Sequence, residues 1–269
     1  MSNMTQTILA GALERKLRQE QLADQIANRN YQQTFNGPED TVKVTIAQSG
    51  TVSNYTGGQI TLETGVDATP RLITPDHQKA FGFVLDGNEN LAQYAEGFAS
   101  ETFAQVLEEA DKYILENAAS AGNTVAYDQT TENVRELFGG ARETLDDEGV
   151  PQQQRFAVVP SSVGREVYDD LAQRETGLGD DRLLTGMIGM YYGFQVYVRP
   201  TAFFQLDTGD VESMFGSRFY QTYADAVVAL QVIEDAPGYP GGVVIQGLHV
   251  AGSIITQPES MVRGLITEA

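Results

Sequence analysis

The chain has 269 residues, enough for one large domain or two modest ones with a real core. It has no Cys, which excludes disulfides, thiolate chemistry and Cys-based zinc sites, and its two His, His77 and His249, sit in unrelated segments, which argues against imidazole catalysis and His-rich metal sites. Carboxylates number 37 against 17 basic residues, a formal net charge of −20, so the chain will not grip nucleic-acid phosphates electrostatically.

In residues 1–30, Ile8, Leu9, Leu13, Leu17, Leu22 and Ile26 recur at near-helical spacing between charges. This predicts an amphipathic helix whose apolar face lies on the chain's own core or on a neighbouring subunit. Residues 31–40, YQQTFNGPED, are turn-rich and mark a boundary. Val42, Val44 and Ile46 then alternate with polar residues, as do Ile60 with Leu62 and Phe81, Phe83 with Leu85, predicting strands with one apolar face. Between them, Gln48–Arg71 has few large apolar residues and cannot build its own core. A two-stranded polar excursion is marginal in isolation and becomes sensible against another copy of the protein.

Leu91–Ala119 carries an unbroken apolar stripe from Leu91, Tyr94, Ala95 and Phe98 through Phe103, Val106, Leu107, Ala110, Tyr113, Ile114 and Ala118. Asn88 or Asn90 offers a cap, and about thirty residues at 1.5 Å each give a rod of roughly 45 Å. Residues 123–150 predict a second helix, capped by Thr130 or Thr131, with Val134, Leu137, Phe138, Ala141 and Leu145 inward, ending at Gly149 and Pro151. Phe156–Val159, stopped by Pro160, reads as a buried strand, and Ser161 or Ser162 can cap a helix striped by Val163, Val167, Tyr168 and Leu171. A Gly- and Asp-rich segment, Thr176–Asp181, follows, with Gly177 and Gly179, then Gly186, Gly189 and Gly193. Phe194, Val196 and Val198 alternate into a strand ending at Pro200. Residues 201–222 read as irregular, with Phe203, Phe204, Met214, Phe215, Phe219 and Tyr220 filling space between elements. Ala224–Ile233 is strand or short helix, since its periodicity does not choose. The end, GGVVIQGLHVAGSIITQPESMVRGLIT, reads as three short strands with Pro258 and Glu259 turning between the last two.

Candidate chemical motifs fail on their own spacing. Asp86, Asn88 and Asn90 start like a calcium loop, but Leu91 stands where Gly is needed and Gly97 where a bidentate Glu is needed. Ser161–Ser162 lacks the glycine that precedes a nucleophile elbow, and Gly177-x-Gly179 lacks the third glycine of a dinucleotide site. Asn54-Tyr55-Thr56 is a glycosylation sequon, idle without a secretory route. Carboxylates this abundant on helix surfaces always offer some glycosidase-like pair, and a solvated face explains them. No catalytic constellation, metal site or cofactor site emerges, so the expectation is a non-enzyme. The apolar windows near 224–233 and 242–255 fall short of the ~18–20 residues of a membrane span, and no secretory signal is read at the N-terminus. The expected product is soluble and intracellular when made. Only four of the basic residues are Lys (Lys16, Lys43, Lys79, Lys112) and acid is spread along the whole chain. Ordinary solubility charge accounts for this, and so does adaptation to high salt, where the Debye length falls to ~3 Å near 1 M and self-repulsion is screened. Lysine scarcity points to a halophilic host.

The order strand, capped helix, glycine loop, "G-x-I-G-x-x-x-G-F-x-V-Y" and strand resembles the axial domain of tailed-virus major capsid proteins with the Hong-Kong-97-type shell fold. "DTVKV", "GTVSNYTGG" and "RLITPDHQKAFGFVLDGNENLAQ" resemble the family's extended loop and its return into a long spine helix. The resemblance runs from about Asp40 to Thr267, and the order of elements is its specific part. It implies an α+β fold divided into an N-terminal arm (1–39), an extended β-hairpin loop (40–90), a spine helix of the peripheral domain (91–124), an axial α/β domain (125–240) and C-terminal strands completing the peripheral sheet (241–269).

By the same resemblance the chain self-assembles as hexamers and pentamers into an icosahedral virion shell around double-stranded DNA, held without sequence-specific binding and with no membrane. Assembly is expected in the host cytoplasm, with scaffolding, portal and cement proteins as further partners. Intersubunit contacts are expected from Leu9, Leu13 and Leu17 of the arm, Val44, Ile46, Tyr55, Ile60 and Leu62 of the extended loop, and Gly177, Gly179, Gly186 and Gly189 of the axial loop. Two other readings are an encapsulin-type nanocompartment with a protein cargo and a soluble acidic α+β hydrolase.

Overall fold

A computed structural model describes residues 21–31, 39, 41–46, 69–85, 91–118, 120, 122–173, 189–204, 211–234 and 243–267. The elements are α1 (Ala23–Ile26), β1 (Val42–Ile46), β2 (Thr69–Ile73), β3 (His77–Leu85), α2 (Leu91–Ala118), β4 (Asn123–Asp128), α3 (Val134–Asp147), β5 (Arg155–Pro160) and α4 (Ser161–Gln173). They continue with β6 (Met190–Tyr191), β7 (Phe194–Arg199), β8 (Val211–Ser217), β9 (Gln221–Glu234), β10 (Val243–Ile255) and β11 (Met261–Thr267). Among the described residues no helix is long and apolar enough to cross a membrane.

The larger sheet has six strands in the order β4-β11-β8-β5-β7-β6. It is mixed: β11 runs parallel to β4, β5 parallel to β7, and the other neighbours are antiparallel. Every residue of β5 and of β8 is buried, as expected of central strands covered on both faces. Helix α3 places Val134, Leu137, Phe138, Ala141 and Leu145 in this core, each at an i, i+3 or i+4 step. Phe138 meets Tyr191, Phe194 and Phe215 edge-on at 4.8, 6.1 and 4.9 Å. The helix ends in a Schellman turn: Val150 N donates to Leu145 O, Gly149 N donates to Asp146 O, and Gly149 takes φ +70°. Helix α4 buries Val163 and Val167, with Tyr168 and Leu171 packed at the margin.

The smaller sheet is antiparallel in the order β3-β10-β9. Helix α2 covers one part of it through Phe103, Val106 and Leu107 against Phe81, and Phe81 and Phe103 pack edge-to-face at 5.8 Å. β1 and β2 form a separate antiparallel pair whose Val42, Val44 and Ile73 pack on Ala224 of β9 and Val250 of β10. Two glycines of β10 allow these close approaches. A Cβ on Gly247 would lie 2.6 Å from the Phe81 ring, and one on Gly252 only 2.4 Å from the Thr74 carbonyl oxygen.

Several sequence expectations are corrected. Residues 123–150 are a strand and a helix, not one helix; the cap is Asn133, whose side chain accepts from Arg135 N at 3.0 Å, while the Asp128 carboxylate binds Thr130 N in the turn before it. Within residues 201–222 lies the fully buried strand β8, and Phe219 is 47% exposed instead of filling the interior. The ambiguous window Ala224–Ile233 is part of the fourteen-residue strand β9, which pairs along its length with β10. The chain's end makes one thirteen-residue strand and one of seven, not three, because a bulge at Gly247 lets β10 run on past the glycine. β9 pairs with β10 in the sheet beside α2, and β11 lies between β4 and β8 of the larger sheet.

Gly252→Ala should lower stability by about 1–3 kcal/mol, because the clash is with backbone and not with a yielding side chain. The measurement is the midpoint of denaturant unfolding, with an unchanged m-value expected.

Candidate functional site

The base of the extended loop is a paired stem. Val42 lies opposite Ile73 and Ile46 opposite Thr69, so residues 47–68 connect two strand ends that lie side by side. Tyr55, Ile60 and Leu62 fall in that connection, outside the described residues, as do Leu9, Leu13 and Leu17 of the arm and Gly177, Gly179 and Gly186 of the axial loop. Ile46 is placed by its backbone pairing. Val44 differs from the expectation of a contact to a neighbour: only 3% exposed, it packs in the chain's own cluster with Val42, Ile73, Ala224 and Val250 and anchors the stem. Gly189 takes φ +68°, and its carbonyl accepts Val196 N at 2.9 Å where the chain enters β6. The β6–β7 hairpin turns on Tyr192 and Gly193, both at positive φ.

Residues 21–31 form a strap across the body. The expected helix through residue 30 ends here at Ile26, and Ala27 is extended. Leu22, Ala23, Ile26 and Ala27 are all buried in the chain's main core, so this end of the predicted amphipathic segment lies on its own chain. Polar bonds fix it. Leu22 N donates to Asp111 Oδ1 at 2.9 Å, and Asp111 also holds Arg199 Nε at 3.1 Å. Asn28 N donates to Gln221 O at 2.9 Å and Tyr223 N to Asn28 O at 3.0 Å, a parallel bridge to the start of β9. Arg218 donates to Asp24 O at 2.7 Å, Gln21 Nε2 to the Tyr223 hydroxyl at 2.9 Å, and Tyr197 to Gln25 Oε1 at 3.2 Å. Arg29 bridges the carboxylates of Asp24 on the strap and Asp225 on β9.

The two histidines, distant in sequence, come together on the β3–β10 pair. Strand pairing sets His77 opposite Ala251, two positions from His249, and the rings stand 6.5 Å apart. His249 is fully buried with Nε2 3.3 Å from Asp225 Oδ2. His77 stacks on Tyr113 at 4.6 Å; the Tyr113 hydroxyl donates to Asp76 and accepts Ser253 N at 3.1 Å. Burial, then the Asp76 carboxylate, pushes the Tyr113 phenol up to about 12. Burial also pushes Asp225 up, yet its bonds to His249 and Arg29 outweigh that and hold its carboxyl below the usual range. Nothing in either local sequence signals this meeting; only the β3–β10 register creates it.

An open groove of about 670 Å³ runs between α4 and β7, lined by Gly164, Tyr168, Gly189, Val196 and Val198 among others. A Cβ on Gly164 would meet Val198 at 2.9 Å, so the glycine sets how closely helix and strand approach. A smaller hollow of about 190 Å³ collects Glu132, Glu166, Asp169 and Asp170. Its inner carboxylates are engaged. Asp170 accepts Arg135 Nε and the Tyr191 hydroxyl, each at 2.7 Å, and Glu166 accepts Tyr127 at 2.6 Å and Gln129 at 2.5 Å. Burial, and next the Glu166 bond, drive the Tyr127 phenol far above its ordinary value. Among the described residues no three His, Asp or Glu side chains converge to hold a metal ion.

Asp225→Ala strips the shared acceptor from Arg29 and His249 and should cost about 3–5 kcal/mol, with Asp225→Asn milder, as read by denaturant unfolding. The lowered carboxyl of Asp225 stabilises the fold above the ordinary carboxylate value of 3.8, and that contribution is lost as pH falls through its lower folded-state value.

No protein-family model and no curated protein matches the sequence. Solved structures do match the fold. A structure described as "Mycobacterium phage Che8" superposes with a TM-score of 0.67 at 19% identity, covering 91% of each chain. The "Capsid structure of the Cyanophage P-SCSP1u" gives 0.65 at 10% identity, over 93% of this chain and 89% of that one. A virus-like particle from Pyrococcus furiosus gives 0.56 at 12% identity, over 96% and 97%. Helix α2, the β1–β2 stem and the two sheets therefore compose the Hong-Kong-97-type capsid fold along almost the whole chain.

Proposed function

We propose that this chain is a structural capsid protein, non-enzymatic, whose copies assemble as hexamers and pentamers into an icosahedral virion shell around double-stranded DNA. The observation that carries the reading is the likeness to shell structures over more than nine-tenths of the chain, two of them described in words as a capsid and a virus-like particle. The stem supports it physically. Its two strands are fixed to the body through Val42, Val44 and Ile73, while the connection at 47–68 holds few large apolar residues with which to build a core of its own. Cover from a sister chain resolves that deficit.

In this reading residues 1–39 are an arm, 40–90 an extended loop, 91–124 the spine and 125–240 the axial domain, with 241–269 closing the body through β10 and β11. Leu9, Leu13, Leu17, Ile46, Tyr55, Ile60 and Leu62 contact neighbours, and Gly177, Gly179, Gly186 and Gly189 serve the capsomer axis. Many weak contacts of this kind make a stable lattice by multivalency. The surplus of carboxylates lets packaged DNA slide, since phosphates meet few free cations. Assembly takes place in the host cytoplasm with scaffolding, portal and cement proteins, and the acidic, lysine-poor composition suits a halophilic host.

Electron microscopy of the expressed protein in concentrated salt should show closed shells; a compact monomer at high concentration there would overturn the reading. DNA and not a protein cargo is expected inside native particles. Deleting residues 47–68 should abolish shells while leaving the thermal unfolding of the body in place. Lowering the salt should loosen shells, seen as slower sedimentation, because the net charge of −20 per chain is then unscreened.

A further inference from the structure

Strand β7 is covered along its outer edge at one end only. β6 pairs with Phe194 and Gln195, and Gly189 O accepts Val196 N, so no described strand lies beside Tyr197–Arg199 on that side. Alternation along β7 turns Val198 toward Gly164 of α4, and Tyr197 and Arg199 toward the strap. The groove of about 670 Å³ opens around this edge and is lined from both faces. Val198 is 36% exposed there, because Gly164 beside it has no side chain to cover it.

The strap enters the body at the same place. Tyr197 on the groove wall donates to Gln25, and Arg199 on that wall holds the Asp111 carboxylate that also accepts Leu22 N. Gln21 is buried, so residues 1–20 leave the body one carboxylate away from the groove. Leu17 is four residues from Gln21, at most about 14 Å along the chain. Leu9, Leu13 and Leu17 recur every fourth residue, a stripe of about 12 Å if helical, and the thirteen residues of α4 offer a wall of about 20 Å. Charge favours the same return. Residues 1–20 hold three of the 17 basic residues, Arg15, Lys16 and Arg18, but only two of the 37 carboxylates, so this segment alone is drawn to the acidic remainder.

We propose that residues 1–20 of the unassembled chain dock in the groove between α4 and β7 of their own body, with the leucine stripe against Val198 and the α4 face at Gly164. The docked segment covers the open edge of β7 and hides its own apolar face. In the proposed shell, a step that rests on that reading, the stripe is handed to a neighbour, and the groove is what caps it until then.

The natural chain has no Cys, so disulfide cross-linking reads only an introduced pair. Leu13→Cys and Leu17→Cys are each combined with Val198→Cys and, for comparison, with Leu72→Cys, which is 54% exposed on the stem. In dilute, unassembled chain at least one Val198 pair should close within the chain, at monomer mass, roughly tenfold faster or more than its Leu72 counterpart, because docking raises the effective concentration. Equal rates at the two sites would overturn the proposal, since the segment would then have no seat. Bonds formed only between chains, at twice the mass, would overturn it by giving the segment to a second copy. Absence of any bond to Val198 would overturn it by leaving the groove to residues 174–188 or to no part of the chain. As a second readout on a chain without Cys, Val198→Asp should speed tryptic cleavage after Arg15, Lys16 and Arg18 roughly tenfold, and unchanged cleavage would count against docking. Neither readout needs a shell, so this inference and the capsid reading fail separately.

Discussion

The long antiparallel ladder between β9 and β10 is the constraint on which the rest depends. At one end Tyr223 and Ala251 belong to the core that the six-stranded sheet shares with α3, and by mid-ladder Val227 packs toward Phe81 and α2. One pair of strands therefore crosses from one packed region to the other. Ala224 and Val250 on the same ladder receive the β1–β2 stem, and its first residues receive the strap through Asn28. Such a ladder cannot be lined with large side chains throughout. Gly247 admits the Phe81 ring and Gly252 admits the Thr74 carbonyl, so two missing Cβ atoms set the positions of β3 and of the stem.

Electrostatics is the second organising term. A chain with 37 carboxylates and 17 basic residues has to choose where its cations go. Four arginines go to buried carboxylates: Arg29 serves Asp225, Arg199 serves Asp111, Arg135 serves Asp170 and Arg263 serves Glu212. Each of those carboxylates is at most 8% exposed at its side chain, where an unpaired charge would be costly. Arginine suits the task because its planar fork bonds a carboxylate in fixed geometry and stays charged when desolvated. Glu101, Glu108, Glu116, Glu132, Glu136 and Glu143 are exposed, and there the surplus charge meets solvent and its ions. Net charge thus describes the surface, while the interior is built of matched pairs.

Three features attach to the two sheets: a hairpin stem, a strap seated on the main core, and the edge strand β6, entered from Gly189. In the proposed shell such appendages would take their cover from other copies, and multivalent lattices tolerate weak single contacts. The strap complicates the simplest version of that picture. Leu22 and Ile26, which share a helical stripe with Leu9, Leu13 and Leu17 in the sequence, face the chain's own core. Whatever residues 1–20 contact, they start from a point held by Asp111 and Tyr223.

What the sequence by itself determined was whatever depends on near neighbours in the chain. The stripe of α2, the apolar run of β5 and the inward faces of α3 and α4 were legible because helix and strand periods repeat within a few residues. The tertiary structure decided the rest. β8 could not be read as a strand, because Glu212 and Ser213 interrupt its apolar run; Arg263, fifty-one positions away on β11, neutralises Glu212 and lets the strand be buried. β4 was absorbed into a helix because a short outer strand with a half-exposed pattern has no strong period of its own. Val44 looked available to a neighbour until the sheet it covers came into view, and His77 and His249 looked unrelated until the β3–β10 register brought them together. Period is a local property of a chain, whereas a partner for a buried charge or an imidazole is supplied by whichever distant strand the fold lays beside it.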